Sequence, residues 1–519
     1  MSTKGYTFDE YRNAGNAAFR AEDWHAAEQL YLHAWDASEG RDFLSLCNLS
    51  AVHMKMASTA SDASSRDKFV ADAVEDAREA TRVAPNYAKG YYRLAQALQM
   101  MSQLREALSA VRECQELLAH PPAGMVGGGV PADVTKLRHS IEDAWLQQHY
   151  GESTKTLGGT VEVRMCPEEQ KRGKGVFTLP AMKTGQTLFF ETPIVSHIEA
   201  GCPDDVRKRT CSHCLRSMLT PELARKLLNA PVPGRKLCDQ LTELLERVIS
   251  DPPPKPSHCP HCGETYCCDK CRDEAWERYH CMLCPASDDA KNALAEFNHL
   301  ADKLGLTNPL VISKMVAGVA VDVLRNGKLL SAAMEPYSAF EWNSWPAEQD
   351  EQFCAFLKRV MLGSKFYTEA NATAVVSNKE QVIEAATSVE MFRMLHGVLQ
   401  RNASRVQPVS EVHMYLCSTL PVERVSPILS ADWAVALAAG GTALFRVANT
   451  VNHSCAPNCQ FASTANNHTL SVIAITDIAA NEELLVSYID ETQPYEQRQK
   501  ELRERYCFTC NCSKCSAHK

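Results

Sequence analysis

Eight residues between positions 211 and 284 have the types and spacing of metal ligands: the pairs Cys211/Cys214, Cys259/Cys262, Cys267/Cys271 and His280/Cys284. The first two are C-x-x-C turns, in which a tight turn aims two thiolates at one ion. The other two are i,i+4 pairs, a spacing that shares one helix face. Eight ligands fill two tetrahedral sites, and a bound zinc deprotonates every thiol it takes. Spacing alone leaves open which pairs share an ion. His258, His261, Cys268 and Cys281 lie among them and read as supporting or surface groups. The competing reading, thiols scattered by chance, sits badly with their clustering: thirteen of the 22 cysteines fall within Cys211–Cys214, Cys259–Cys284 and Cys507–Cys515. The start of the chain, MSTKGYTFDEY, has no apolar run, so no secretory signal is expected and the compartment is a reducing one. Thiols there are metal ligands more often than disulfides.

Four more motifs flank this segment. Upstream lies Lys171-Arg172-Gly173-Lys174-Gly175-Val176-Phe177. Downstream lie Asn452-His453-Ser454-Cys455-Ala456-Pro457-Asn458, then Glu482-Glu483-Leu484-Leu485-Val486-Ser487-Tyr488, then Tyr506-Cys507-Phe508-Thr509-Cys510-Asn511-Cys512-Ser513-Lys514-Cys515. Singly they are weak, since R-G-x-G alone is usually a turn. The cysteine segment itself reads C-x2-C, then C-x2-C-x4-C-x3-C, then H-x3-C, which resembles a MYND zinc finger. Four motifs in this order around such a finger resemble the SET-and-MYND protein-lysine methyltransferases, in outline over residues 160–519.

That resemblance implies a fold, a reaction and a set of roles. Family pairing is alternating, so Cys211, Cys214, Cys267 and Cys271 would hold one zinc and Cys259, Cys262, His280 and Cys284 another. The gap of roughly 44 residues between Cys214 and Cys259 resembles a branch carrying an insert. A third zinc would take Cys455 with Cys510, Cys512 and Cys515, Cys507 being the alternative to Cys510. It would staple the C-terminal tail over the active site. The implied cofactors are therefore S-adenosylmethionine and three zinc ions. Methyl transfer from a sulfonium is an in-line displacement by a neutral lysine amine, which needs a held cofactor and a narrow channel. Gly173 and Gly175 have no Cβ and let backbone approach the cofactor. Arg172 would pair with its carboxylate, and Lys174 would line the same loop. Asn452, His453 and Phe508 join the cofactor wall, Tyr506 and Phe508 wall the lysine channel, and Tyr488 stands beside the transferring methyl as the catalytic residue. For Tyr506 and Phe508 the competing reading is core packing. The family's Asn-(Ala/Ser)-Phe motif before N-H-S-C is absent from SPILSADWAVALAAGGTALFRVANT, where Asn449 is the stand-in. The C-terminal helical domain of several relatives is expected to be missing.

Such residues need elements to hold them. With 519 residues the chain is long enough for about three domains. Residues 6–120 read as helix upon helix with a 34-residue period, carrying small residues at Gly15, Ala27 and Ala34 and aromatics at Phe19, Trp24 and Tyr31. They resemble three tetratricopeptide repeats, an α-solenoid whose small residues let paired helices approach; a generic helical bundle is the alternative. A Gly/Pro-rich linker at 121–131 and a helix from Asp133 to Tyr150 make up 121–155. Short strands follow: VEVRM, GVFTL, TLFFE and PIVSHI, the first part of a SET core at 156–205. The zinc finger with its insert occupies 206–287, a helical insert 288–430, and the second part of the core, with TLSVIAI and ELLVSYI, 431–495. A zinc-binding post-SET segment at 496–519 completes a multidomain α+β chain.

Partners follow from charge and from the repeats. The net charge of −9 argues against tight non-specific nucleic-acid binding. The most apolar stretch, Pro309–Leu330, is interrupted by Lys314, Asp322, Arg325 and Lys328, so no membrane span is expected. Arg12 and Asn16, Asn48, and Lys89 and Arg93 fall on the first helices of successive repeats, which line a solenoid's concave groove. Three cations and two amides suit a peptide ending in adjacent carboxylates. The pattern resembles the dicarboxylate clamp that grips the C-terminal Glu-Glu-Val-Asp of cytosolic heat-shock chaperones, with Arg12 in place of the usual Lys. Solvated surface groups are the alternative. The expected partners are a protein substrate with a target lysine and such a chaperone tail. The expected compartment is the cytoplasm, with the nucleus as a second, although Arg207-Lys208-Arg209 is too short to be an import signal. The rival to an active methyltransferase is a zinc-stabilised adaptor with an inactive core.

Overall fold

The computed structural model describes residues 6–121, 133–167, 172–229, 239–250, 255–344, 346–369, 378–410 and 439–517. The glycine-rich linker, the Asp-Pro run at 251–254, Lys171 and most of SPILSADWAVALAA lie outside them. The chain forms two units, Met1–Gln148 and His149–Lys519.

The first unit is built of helix pairs: α1 Phe8–Arg20 with α2 Trp24–Ala37, α3 Phe43–Thr59 with α4 Ala63–Val83, and α5 Ala88–Met100 with α6 Leu104–Ala119. Polar side chains set where they start. Thr7 Oγ1 accepts the Glu10 N–H at 3.3 Å while Glu10 Oε2 accepts the Thr7 N–H at 2.7 Å, a reciprocal cap, and Asp23 and Asp62 cap α2 and α4. The first and third pairs turn through matching left-handed residues, Glu22 (φ 59°) and Ser102 (φ 60°). Close packing explains the small residues. A Cβ on Gly15 would lie 2.7 Å from Tyr31 Cε1, so only glycine lets α1 meet α2 there. A seventh helix, α7 Val134–Thr156, runs six residues beyond the expected Tyr150 and seats Val134 and Ile141 against α5 and α6.

His53 is among the polar groups buried in this unit. His53 of α3 bonds Asp76 Oδ2 of α4 at 2.7 Å and Glu28 Oε1 of α2 at 3.2 Å. Burial alone would lower its pKa, but the bonds and charges of Asp76 and Glu28 outweigh burial and leave it raised above 6.5. A raised histidine contributes stability that is fully present below the unfolded pKa and lost as pH rises through the folded one. Asp76 is also raised, by burial foremost, but its window lies at acid pH. Hydrogen-exchange protection of α2–α4 should therefore fall as pH rises above the ordinary histidine range, and His53→Gln should flatten that dependence. An unchanged slope in the variant would show that His53 is neutral throughout.

The second unit interleaves distant segments. Strand β1 Val161–Met165 pairs with β2 Lys174–Thr178, β3 Thr187–Glu191 with β11 Leu470–Ala474, and β4 Val195–Ile198 with β8 Gly441–Leu444. Everything from 199 to 440 is thus threaded between strands that are neighbours in one sheet. Within it a hairpin, β5 Ser257–His258 and β6 Thr265–Tyr266, carries the cysteine segment, and helices at Asp288–Leu304, Asp350–Leu362 and Val389–Asn402 surround the helix Thr307–Leu324. That last helix is long and apolar enough to cross a membrane, yet 78% of it is buried inside the unit. Its Lys314 is accommodated by donating to the carbonyls of Ser196 (2.8 Å) and Ser212 (2.6 Å).

Two stretches depart from their sequence patterns. Ser404–Val406, inside the range expected to be helical, forms β7 and pairs with β8. ELLVSYI forms a strand only at Leu485–Val486, β12, parallel to β9 Asn452–His453. It stops there because the Tyr488 N–H donates to His453 Nδ1 at 3.0 Å and so leaves the ladder. Strand β10, Cys459–Ala462, completes the set beside β11.

Candidate functional site

Twelve sulfur and nitrogen atoms converge in three groups: Cys211, Cys214, Cys267 and Cys271; Cys259, Cys262, His280 and Cys284; and Cys455, Cys510, Cys512 and Cys515. Within each group the ligand atoms lie within 4.8 Å of one another. Local turns aim them. Both C-x-x-C segments close through a left-handed residue, Leu215 (φ 62°) and Gly263 (φ 81°), which folds the chain back onto the first cysteine. Cys267 is not on a helix with Cys271, because Cys268 is extended (φ −162°) and the helix begins at Asp269. Cys284 likewise follows the last helical residue, Leu283, with its N–H on the His280 carbonyl at 2.7 Å.

Separations between sulfurs are 3.7 Å for Cys214–Cys267, 3.6 Å for Cys267–Cys271, 3.8 Å for Cys259–Cys284 and 3.5 Å for Cys455–Cys515. A tetrahedron with zinc–sulfur bonds of about 2.3 Å has edges of about 3.8 Å. The donor sets therefore fit zinc. Arg498 Nη2 donates to Cys515 Sγ at 3.7 Å, opposing the negative charge of four thiolates. Cys507 stands outside the third group, exposed, with Asn343 Nδ2 at 3.8 Å from its sulfur. His258, His261, Cys268 and Cys281 also lie outside the groups; Cys281 accepts from Arg325.

The third group borders a cavity of about 830 Å³ lined by Arg172, Gly173, Lys174, Asn449, Asn452, His453, Tyr488, Tyr506 and Phe508, among others. Its floor is β9. The Asn458 side chain locks that segment to β12, donating to the Glu483 carbonyl and accepting the Leu485 N–H, both at 2.8 Å. This brings Tyr488 against His453, with ring centroids 5.2 Å apart. Tyr488 Oη donates to the Val451 carbonyl at 2.7 Å, and burial raises the phenol's pKa so that it stays protonated. His453, pushed down to about 4 by burial and then by Arg172, is neutral; its Nδ1 accepts from Tyr488, which leaves the proton on Nε2, facing Cys455 Sγ at 3.3 Å. Tyr506 lies 5.0 Å from the Tyr488 ring and Phe508 5.7 Å from His453, forming an aromatic wall.

Not every residue singled out from sequence faces this space. Gly173 does, with φ 71° and nothing within 4 Å of where a Cβ would stand, so the loop leaves an open cradle there. Gly175 does not line the cavity. A Cβ there would meet Glu483 Oε1 at 2.7 Å and Cys166 Sγ at 2.8 Å, so this glycine makes room for protein rather than for a ligand. Arg172 lines the cavity but is already paired with Glu483 at 2.8 Å. Asn449 also lines it, yet its carboxamide is engaged with the Phe445 N–H (2.5 Å) and Ser404 Oγ (2.7 Å), tying β8 in place. Phe340, Glu341, Arg401, Asn402 and Thr450 also line the cavity. Sequence reasoning missed them; four come from the helical segment, where no motif or spacing marks them.

In the first unit, Asn16 Oδ1 accepts from Asn48 Nδ2 at 3.2 Å and from Tyr31 Oη at 2.8 Å. Lys89 and Arg93 share a face of α5, and the Lys89 pKa is lowered by burial and then by Arg93. Arg93 Nε is buried without a hydrogen-bond partner among the described residues. Arg12 differs: its guanidinium pairs with Asp42 Oδ1 at 2.7 Å and with Asp9. Two carboxylates therefore offset this cation, which the sequence pattern alone does not show.

Comparison with known proteins adds four findings. The SET domain family matches residues 173–489. The human Protein-lysine N-trimethyltransferase SMYD5 is 28% identical over 383 residues, 69% of this chain and 87% of that protein. The Histone-lysine N-methyltransferase ATXR2 of Arabidopsis thaliana is 29% identical over 308 residues (51% and 63%), and the Heat shock protein STI1 of Saccharomyces cerevisiae is 30% identical over 194 residues (34% and 31%).

Proposed function

The chain belongs to the SET domain family, and from that membership and the cavity around Tyr488 we infer that it is an S-adenosylmethionine-dependent protein-lysine N-methyltransferase. One observation carries the reading. Parallel pairing of β9 with β12 sets Asn452, His453 and Tyr488 on one cavity that also receives Arg172–Lys174 and the aromatic wall.

Gly173 and the residues around it would hold the cofactor, which when bound would supply a methyl group on a sulfonium. The chain's own residues hold the partners. Tyr488 Oη donates its O–H to the Val451 carbonyl and keeps lone pairs with which to accept from the lysine N–H, orienting the amine. Tyr506 is held by donating from its hydroxyl to the Tyr488 carbonyl at 3.3 Å, and with Phe508 it flanks the amine's path and excludes water. Arg172 and Lys174 offer cations to the cofactor's carboxylate. Calorimetry with S-adenosylmethionine tests the site directly. Absence of binding would favour the adaptor reading, in which repeats and zinc segments bind proteins without catalysis.

Residues 206–287 then read as a MYND-type finger holding two zinc ions and 496–519 as a zinc-binding post-SET segment; twelve ligands in three tetrahedral sets support this. The compartment proposed is the cytoplasm, with the nucleus as a second. The repeats are proposed to take an acidic C-terminal tail such as that of a heat-shock chaperone. Because Arg12 is already offset, Lys89 and Arg93 carry most of the attraction. Titration with a labelled peptide ending in Glu-Glu-Val-Asp should show binding that weakens with salt. Lys89→Ala with Arg93→Ala should abolish it, and Arg12→Ala should weaken it less. If the amidated peptide binds as well as the free acid, the groove does not read carboxylates.

A further inference from the structure

We propose that Glu483 is a positioning residue that sets the charge of the cofactor end of the cavity and thereby its preference for the sulfonium cofactor over the neutral thioether product. The proposal rests on the methyltransferase reading above and deepens it.

Glu483 does not line the cavity but stands behind it as a hub. Its Oε2 accepts from Arg172 Nη1 at 2.8 Å, and its Oε1 accepts from Asn452 Nδ2 at 2.9 Å and from Cys166 Sγ at 3.4 Å. Phe177 of β2 bridges to its backbone. One carboxylate thus ties the Arg172–Gly175 loop to β9, and Gly175 lacks a side chain because that carboxylate fills the space. The second glycine of R-G-x-G is explained by Glu483.

Charge gives the hub its consequence. Three cations, Arg172, Lys174 and Arg401, and one carboxylate, Glu341, line the cavity. S-adenosylmethionine carries one more positive charge than S-adenosylhomocysteine, so a cationic wall by itself favours the spent product. Glu483, beside Arg172 with its side chain only 11% exposed, supplies the second negative charge where solvent screens little. Removing that charge leaves Arg172 uncompensated and disfavours the sulfonium selectively. Loss of mere scaffolding would weaken both ligands alike.

The test is calorimetry of the full chain with each ligand. In Glu483→Gln the ratio of Kd for S-adenosylmethionine to Kd for S-adenosylhomocysteine should rise roughly tenfold, the scale of one nearby charge in a partly screened site. Arg172→Gln, at a half-buried position, should move the ratio the other way, and Glu483→Asp should keep it near the wild-type value. Equal weakening of both ligands in Glu483→Gln, or an unmoved ratio in Arg172→Gln, overturns the proposal. Binding of neither ligand by the wild type instead overturns the cofactor site itself.

Discussion

Tyr488→Phe should lower kcat for methyl transfer by about 10²–10³-fold, the usual effect of deleting one positioned polar group in a closed site, and leave cofactor affinity nearly unchanged. The ring is packed between His453 and Tyr506, so the variant keeps the shape of the wall. What it loses is the oxygen that donates to Val451 and can accept from the lysine amine. An orienting contact of this kind acts on the reacting amine, so turnover should fall more than binding. The freed, buried Val451 carbonyl costs about 1–3 kcal/mol of stability, too little to unfold the unit. Single-turnover kinetics with calorimetry on the same preparation separate the two effects. Unchanged turnover would make Tyr488 a packing residue.

The second large effect concerns the C-terminal metal site. Wild-type protein purified without chelator should contain three zinc ions per chain by elemental analysis, and Cys515→Ala should contain two. Cys510 is both a member of the third ligand group and part of the cavity wall, together with Tyr506, Cys507, Phe508, Thr509 and Asn511. Metal binding is folding free energy for such a segment. The variant should therefore lose hydrogen-exchange protection from Tyr495 to Ser516 and lose activity, while α1–α6 keep theirs. Two zinc ions or fewer in the wild type would remove the terminal site.

Much of the chemistry was legible because it is written in short segments. Thiol pairs three or four residues apart, and motifs such as Asn452–Asn458 and Glu482–Tyr488, state a ligand type or a turn within a few residues. So does the helical repeat, in which small residues recur where helices must touch, as at Gly15 against Tyr31. The enzyme class read from those motifs agrees with the SET domain match over residues 173–489. Local pattern also misled at its edges: ELLVSYI is alternating and apolar, yet a tertiary bond from Tyr488 to His453 ends the strand after two residues.

What only the tertiary structure decided is charge and neighbourhood across long separations. Arg12 reads as a free clamp cation until Asp42, thirty residues on, is packed beside it. Nothing local to Arg172 announces that Glu483, at the far end of the core, pairs with its guanidinium and fills the space above Gly175. Phe340, Glu341, Arg401 and Asn402 reach the cavity because the helices around Thr307–Leu324 bury that apolar helix, and burial is non-directional. The repeats, ligands and motifs lay in the sequence because each is a local steric or chemical demand. Which charge is spent on the protein itself was settled by packing, because a carboxylate buried beside a guanidinium neutralises it from any distance along the chain.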